Sequence, residues 1–286
     1  MKIAVIGANG QLGTDLMKVL KQGHEVISLT HKDVEVTDPN SFSVLREQHP
    51  DVIVNTAAFH KVDQCEDEPL KAFSVNALGA RNIAAISKEL GAVTVYISTD
   101  YVFDGAKKGP YTEDDFPAPL NTYGISKLAG EIYTRQNHRH YIFRVASLFG
   151  VAGASGKGGN FVETMISKAQ KNEPISVVDD MWMSPTYTFD VANIIKAVLE
   201  SKMPFGVYHA TNDGCCTWFQ FAKEIFNILG LTPSLTPIKT EQLPMKAKRP
   251  MFSALESVKL PRYGIQPRDW KQALREYLIA KGHLSK

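Results

Sequence analysis

The sequence predicts an α/β fold, a doubly wound parallel sheet with helices on both faces, followed by a smaller α/β lobe. Three observations predict it. Short apolar runs rich in β-branched residues alternate with amphipathic helical patterns through the first half of the chain. That alternation marks βαβ units whose strands are buried on both faces. A glycine pattern, GANGQLG, stands directly between the first apolar run and the first helical one. The regularity then loosens at a second glycine-rich stretch, FGVAGASGKGG, near residue 150.

Taken in order, KIAVI (2–6) reads as a buried strand, QLGTDLMKVLKQ as a helix and HEVISL as the next strand. SFSVLREQH is helical and DVIVNTAA is another buried run. PLKAFSVNALGARNIAAISKEL predicts one long helix, ended by Gly91, before the strand VTVYIST (93–99). YGISKLAGEIYTRQ gives a helix and YIFRVAS a strand. Beyond the second glycine stretch a helix begins near Asn160, and TFDVANIIKAVLES (188–201) has the pattern of one more helix of the doubly wound core. FGVYHAT, the helix TWFQFAKEIFNILG, the proline-bearing TPSLTPIKTEQLP and the helix DWKQALREYLIAK are read as the second lobe. The expected division is therefore residues 1–150, with 184–203 returning to it, and 151–286 mainly as the smaller lobe.

Composition narrows the function classes. A chain of 286 residues suits one large domain or a domain with a smaller companion. Its formal charge of +2 gives no bulk field for nucleic acid or membrane. The N-terminal apolar run meets glycine at once, so it reads as neither a signal peptide nor a span. The three cysteines are Cys65 and the adjacent Cys215 and Cys216, an odd set without metal-ligand spacing, which suits a reducing cytoplasm. A small-molecule partner is expected, with neither nucleic acid nor membrane; a homodimer is compatible with the sequence.

GANGQLG places Gly7, Gly10 and Gly13 after a strand and at the opening of a helix. Glycines there permit a tight turn, close approach of a pyrophosphate, and helix–strand packing without an intervening Cβ. The helix N-terminus then offers unpaired N–H groups to the phosphates. Gly150, Gly153 and Gly156 repeat the spacing, but further glycines follow before any helix begins, so they read as a loop over a site or a plain surface loop. The strand before Thr30, His31 and Lys32 ends without an acid for a ribose 2′-hydroxyl. Lys32 suits a 2′-phosphate, which tilts the expectation from NADH to NADPH.

In NTYGISKLAGE, Tyr123 precedes Lys127 by four residues, which places both on one helix face. Tyr277 and Lys281 repeat that spacing on the last helix, far from any strand end, and are expected at the surface. Tyr123 instead follows a strand carrying Ser98 and Thr99 at its C-terminal end, where ligands of open α/β sheets bind. A phenol titrates near ~10, and a neighbouring ammonium lowers that value by roughly one to three units. Tyr123 is thus the expected proton donor to a carbonyl oxygen receiving hydride, with Thr99 hydrogen-bonding the same oxygen and Lys127 tuning the phenol and holding the cofactor ribose.

This combination resembles the extended branch of the short-chain dehydrogenase/reductase superfamily over nearly the whole chain. DVIVNTAAFHKVD, YISTDYVFDG, PYTEDDFPAPLNTYGISKLAGE and GGNFVETM resemble the dTDP-4-dehydrorhamnose reductases. DGCCTWFQFAKEIF and KRPMFSALESVKL resemble their C-terminal substrate lobe. The resemblance implies a Rossmann domain, NADPH or NADH as hydride source, and reduction at C4 of a dTDP-4-keto-6-deoxy-L-hexose. By position it implies Gly7, Asn9, Gly10, Gln11 and Leu12 around the pyrophosphate, Glu35 and Val36 near the adenine, and Ala57, Ala58 and Phe59 along the cofactor. It implies His60, Val102, Asn160 and Arg249 for the sugar nucleotide, and no metal. One departure stands out: Leu148 occupies a tryptophan position that would lie against the sugar, with Trp182 as a candidate substitute.

Other features have plainer readings. His138 and His140 lack a third ligand at a useful spacing. Cys215 and Cys216 precede a helix that Thr217 caps, but no histidine partner is evident. The acids of CEDEP read as complementing the dipole of the long helix, and YTEDD as a solvated loop. Two rivals resemble the same motifs. A dehydratase needs a glutamate after the Thr-Asp pair, where this chain has Tyr101; an epimerase is disfavoured by the longer motifs. A regulatory subunit like methionine adenosyltransferase β shares DYVFDG, PAPLN and the Tyr-Lys spacing, whereas Arg249, Pro250, Ser253 and Leu255 favour the reductase.

Overall fold

A computed structural model of the chain describes residues 1–153, 159–201 and 203–285. Gly156 of the second glycine pattern lies outside them. The first half builds β1 (Lys2–Ile6), α1 (Gln11–Leu20), β2 (Glu25–Leu29), α2 (Ser43–Gln48), β3 (Val52–Asn55), α3 (Val62–Asp67), α4 (Pro69–Phe73), α5 (Gly79–Glu89), β4 (Val93–Thr99), α6 (Thr122–Thr134) and β5 (His140–Val145). The second half builds β6 (Leu148–Phe149), α7 (Phe161–Gln170), β7 (Ile175–Val178), β8 (Trp182–Met183), β9 (Thr186–Tyr187), α8 (Thr188–Glu200), β10 (Gly206–His209), β11 (Cys216–Thr217), α9 (Trp218–Leu229), β12 (Leu235–Ile238) and α10 (Trp270–Ala280).

Six strands form one parallel sheet in the order β10-β5-β4-β3-β1-β2. Strand alternation distributes the core: Ile3 and Val5 pack with α1 and α8, while Ala4 and Ile6 pack with Ile83 and Ile86 of α5 on the opposite face. The strand order reverses between β1 and β3, and ligands of open α/β sheets bind beyond the strand ends at such a point. FGVYHAT, read above with the second lobe, instead supplies β10, the outer strand against β5. Its four-residue run carries no mark of which sheet it joins.

The expected long helix is three segments. Pro69 opens α4, a π-helical turn spans Ser74–Leu78, and α5 continues from Gly79. The turn presents the Asn76 carbonyl to the Tyr96 hydroxyl at 2.9 Å. The Asn76 side chain accepts from Phe59 N–H (2.8 Å) and donates to Ser126 Oγ (3.0 Å). A π turn that redirects one residue in this way is a recurrent device near functional sites.

The second lobe has its own core, in which Phe221, Ile225, Leu274 and Leu278 of α9 and α10 pack on Val162 and Ile166 of α7. TPSLTPIK contributes β12, parallel to β7. Tyr277, expected at the surface, lies buried in this core, with its hydroxyl donating to Glu163 (2.6 Å) and accepting from Asn160 (3.0 Å). The apolar side of α10 points inward there, so the Tyr-Lys spacing straddles its edge: Lys281 reaches the Val151 carbonyl at 3.3 Å.

The acidic segments also differ from expectation. Asp63 accepts from Arg249 (2.9 Å) and from Ala247 N–H (3.0 Å), and Asp67 pairs with Lys246. Glu66 caps α6 through Thr122 N–H and Oγ, both at 2.8 Å. Glu113 of YTEDD is buried and accepts from His209 N–H, Ser257 Oγ and Val258 N–H. These carboxylates answer donors from distant parts of the chain, which local pattern does not reveal. No described helix is long and apolar enough to cross a membrane.

The close approach of α6 to the π turn depends on Gly130, where an added Cβ would lie 2.3 Å from both the Asn76 carbonyl and the Tyr96 hydroxyl. We expect Gly130→Ala to destabilise the fold by about 1–3 kcal/mol, as overpacked cores do. Urea denaturation with an unshifted midpoint would refute this.

Candidate active site

One cavity of about 630 Å³ runs along the C-terminal ends of β1, β3 and β4. At one end stands the glycine turn. Gly7 has φ +78°, and its Cβ would sit 2.5 Å from Thr56 Oγ; a Cβ on Gly13 would sit 2.1 Å from the Gly7 carbonyl. Gly10 precedes α1 in an extended conformation with no side-chain capping bond, so the first-turn N–H groups face the cavity without such a competitor. This is a cradle that side chains would fill, and it fits a pyrophosphate.

Of the residues expected to hold a dinucleotide, Gly7, Asn9, Gly10, Gln11, Leu12, Glu35, Val36, Ala57 and Ala58 all reach the cavity wall. Phe59 does not line it; its ring lies under the Lys71 ammonium at 4.9 Å. Lys32 is exposed and outside the wall, whereas His31 lines it and pairs with Glu35 at 2.9 Å.

At the other end Thr99, Tyr123 and Lys127 converge on the same cavity. Thr99 ends β4 and donates to Asp100 Oδ1 at 3.0 Å. The Thr99 oxygen accepts from Tyr101 N–H at 3.2 Å, and the same hydroxyl lies beside the Tyr123 phenol. Tyr123 lies in the first turn of α6, one turn before Lys127, and meets the Tyr101 ring edge-on at 6.0 Å. Asn121 caps this helix by accepting from Gly124 N–H at 2.8 Å.

The electrostatics correct the expectation for the phenol. Burial dominates and pushes Tyr123 well above its ordinary value, with the Thr99 bond opposing it. The Lys127 ammonium donates to the Ile97 carbonyl at 2.6 Å and stands 4.1 Å from the Tyr96 ring centre. Burial pushes Lys127 down to about 7, with Glu131 opposing. Burial likewise raises Asp100 to about 6 against the hydroxyls of Ser253 and Thr99. The dominant cost for all three groups is desolvation of their charged forms.

The residues expected to meet the sugar nucleotide divide. His60 lines the cavity. Val102 packs instead in a small core with Phe103, Tyr111 and Leu255. Asn160 caps α7 and donates to the Gly150 carbonyl (3.1 Å) and Tyr277. Arg249 holds Asp63 and touches Tyr101 behind the wall. Leu148 is on the wall, but Trp182 stacks on Phe252 at 5.9 Å away from it. Trp218 also lines the same wall, and sequence reasoning passed over it as a helix residue. Also missed were Ser147, a wall residue with φ +42°, and Asn76, whose only local signal was its place in an apolar helix. Burial raises the thiols of Cys215 and Cys216 rather than activating them. No group of three or more potential metal ligands occurs among the described residues.

Known proteins resemble this chain over nearly its whole length. The family profile described as "RmlD substrate binding domain" matches residues 1–282. The spore coat polysaccharide biosynthesis protein SpsK of Bacillus subtilis is 42% identical, over 97% of this chain and 96% of that one. A dTDP-4-dehydrorhamnose reductase from Clostridium acetobutylicum superposes with a TM-score of 0.92 at 40% identity, covering 98% of this chain and 99% of its own. The Bacillus anthracis dTDP-4-dehydrorhamnose reductase, solved in complex with NADP, also gives 0.92, at 38% identity with the same coverage.

The low value for Lys127 has a measurable sign. Between about 7 and 10.5 the unfolded chain keeps a proton on this lysine that the folded chain has lost, so Lys127 makes stability rise with pH across that window. Urea denaturation of the cofactor-free protein from about pH 6.5 to 9.5 should show this component, and Lys127→Met should lack it. Equal slopes in the two proteins would exclude it.

Proposed function

We infer the activity from a plain premise: this chain belongs to the RmlD substrate-binding-domain family, within the dTDP-4-dehydrorhamnose reductases. It is an NAD(P)H-dependent oxidoreductase, and we propose that it reduces the C4 ketone of dTDP-4-dehydro-6-deoxy-L-mannose to give dTDP-L-rhamnose. The observation that carries this reading is the single cavity that joins the glycine cradle of α1 to the Thr99–Tyr123 hydroxyl pair.

A nicotinamide cofactor held by the glycine cradle would supply hydride for the ketone carbon. Tyr123 supplies the proton to the ketone oxygen, so that carbonyl, hydride and proton together give the alcohol. High phenol pKa keeps that proton in place until negative charge develops on the oxygen. Thr99 sits beside the phenol and orients it, and when its hydroxyl turns from Asp100 it donates to the same oxygen. Lys127, one turn on, places positive charge beneath the site when protonated and is the residue we assign to the ribose.

Gly7, Asn9, Gly10, Gln11 and Leu12 are assigned to the pyrophosphate, Glu35 and Val36 to the adenine end, and Ala57 and Ala58 to the cofactor's flank, with Phe59 set outside the wall. His60 is assigned to the sugar nucleotide directly. Val102, Asn160 and Arg249, which do not line the cavity, are assigned only indirect roles in that pocket. The NADP bound by the Bacillus anthracis relative favours NADPH here. Residues 1–150 with 184–203 would hold the dinucleotide, and 151–286 mainly the sugar nucleotide.

The test mixes the protein with dTDP-4-keto-6-deoxyglucose, a 3,5-epimerase and NADPH, follows NADPH absorbance and identifies the sugar. Wild type should yield dTDP-L-rhamnose, and Tyr123→Phe should lower kcat by about 10²–10⁴-fold while still binding NADPH. Absence of the product, or a Tyr123→Phe variant as fast as wild type, would overturn the assignment.

A further inference from the structure

Trp218 has no role in the chemistry above, yet among the described residues it is the one lining the cavity that comes from beyond Leu148. It opens α9, and its placement is fixed from several sides. Thr217 accepts from Gln220 N–H at 3.1 Å, and the Gln220 side chain accepts from Thr217 N–H at 3.1 Å, closing a capping box. The Thr217 hydroxyl also donates to Asp179 at 2.6 Å. The indole rests against Phe161, with ring centres 4.8 Å apart and planes at 59°. Thr217 pairs across a short antiparallel ladder with Trp182. These contacts bind the ring to the second lobe, while Thr99 and Tyr123 stand on the first.

A hexose carries hydroxyls around its rim and C–H bonds on its faces. Hydroxyls select hydrogen-bonding groups, whereas the C–H faces gain most from a flat, preorganised apolar surface. Leu148 offers no such plane. Trp182 has one, but it is directed to Phe252 away from the wall. We propose that Trp218 supplies the aromatic face on which the hexose of the sugar nucleotide rests, and so helps determine which keto-sugar is accepted. This deepens the reading of the preceding subsection and rests on it. It makes the sugar a ligand of both lobes, gripped by Trp218 while Tyr123 and Thr99 address its ketone.

The test compares Trp218→Leu, Trp218→Phe and Trp182→Leu with wild type in two measurements. In the coupled NADPH assay, Trp218→Leu should raise the KM for the sugar nucleotide about tenfold or more and leave the KM for NADPH unchanged. Trp218→Phe should recover most of the loss, and Trp182→Leu should behave as wild type. In a fluorescence titration, dTDP-L-rhamnose should quench emission from wild type and Trp182→Leu but not from Trp218→Leu, and dTDP alone should quench little. An unchanged sugar-nucleotide KM in a folded Trp218→Leu, or a defect that follows NADPH instead, overturns the proposal. If wild type forms no dTDP-L-rhamnose, the assigned activity fails. The titration still decides the role of Trp218 in that case, because a quench lost in Trp218→Leu supports it and no quench refutes it.

Discussion

The site depends on how α6 is held against the sheet, and a buried carboxylate does the holding. Glu131 accepts from Ser98 Oγ at 2.6 Å and from two guanidinium nitrogens of Arg144 at 2.9 Å each. Its side chain and that of Arg144 are 0% and 2% exposed. Desolvation offsets much of the attraction in such a pair, so its net stability is small; what a forked, two-bond pair supplies is geometry. It fixes the rotation and height of α6 relative to β4 and β5. Lys127 and Tyr123 then follow at one and two turns above Glu131, which brings Tyr123 over the end of β4 beside Thr99. The same carboxylate is the charge that opposes the burial of Lys127.

Polar contacts also hold the outer parts of the cleft. Acids of α3 meet Lys246, Ala247 and Arg249, and Glu113 gathers backbone and side-chain donors from 209 and 257–258. Both sets span more than ninety residues of sequence. Glu113 is buried, so loss of its donors would leave an unpaired charge in an apolar surround, whereas Asp63 and Asp67 are about half exposed and their pairs cost little to break. The second lobe is thereby kept at a set distance from the strand ends, and Trp218 with it.

Much of this was legible in the sequence where chemistry and local pattern coincide. The glycine spacing was readable because two positions flanking one helix start, Gly7 and Gly13, each exclude a Cβ for a separate steric reason. Tyr123 and Lys127 were readable because a strand end and a helical spacing lie next to each other in the chain. What stayed hidden depends on long-range partners. Glu66 and Glu113 read as dipole and solvent acids because their donors lie at Thr122 and Val258. Tyr277 read as surface because a helix edge does not announce which side is covered. The direction of the Tyr123 pKa was misread, since helical spacing does not reveal the burial that dominates it. Trp218 was read only as part of its helix, and the placement of α9 puts it on the wall.

The outer strand β10 gives the architecture a temporal side. The chain leaves the central sheet after β5, makes part of the second lobe, and returns with α8 and β10 before leaving again. On a ribosome supplying residues from the N-terminus, β5 would be an open edge until residue 209 has emerged, some sixty residues later. Unpaired strand edges invite wrong partners, so that interval is the chain's exposure to misassembly. The two lobes would therefore share one folding event, with neither finished before the other.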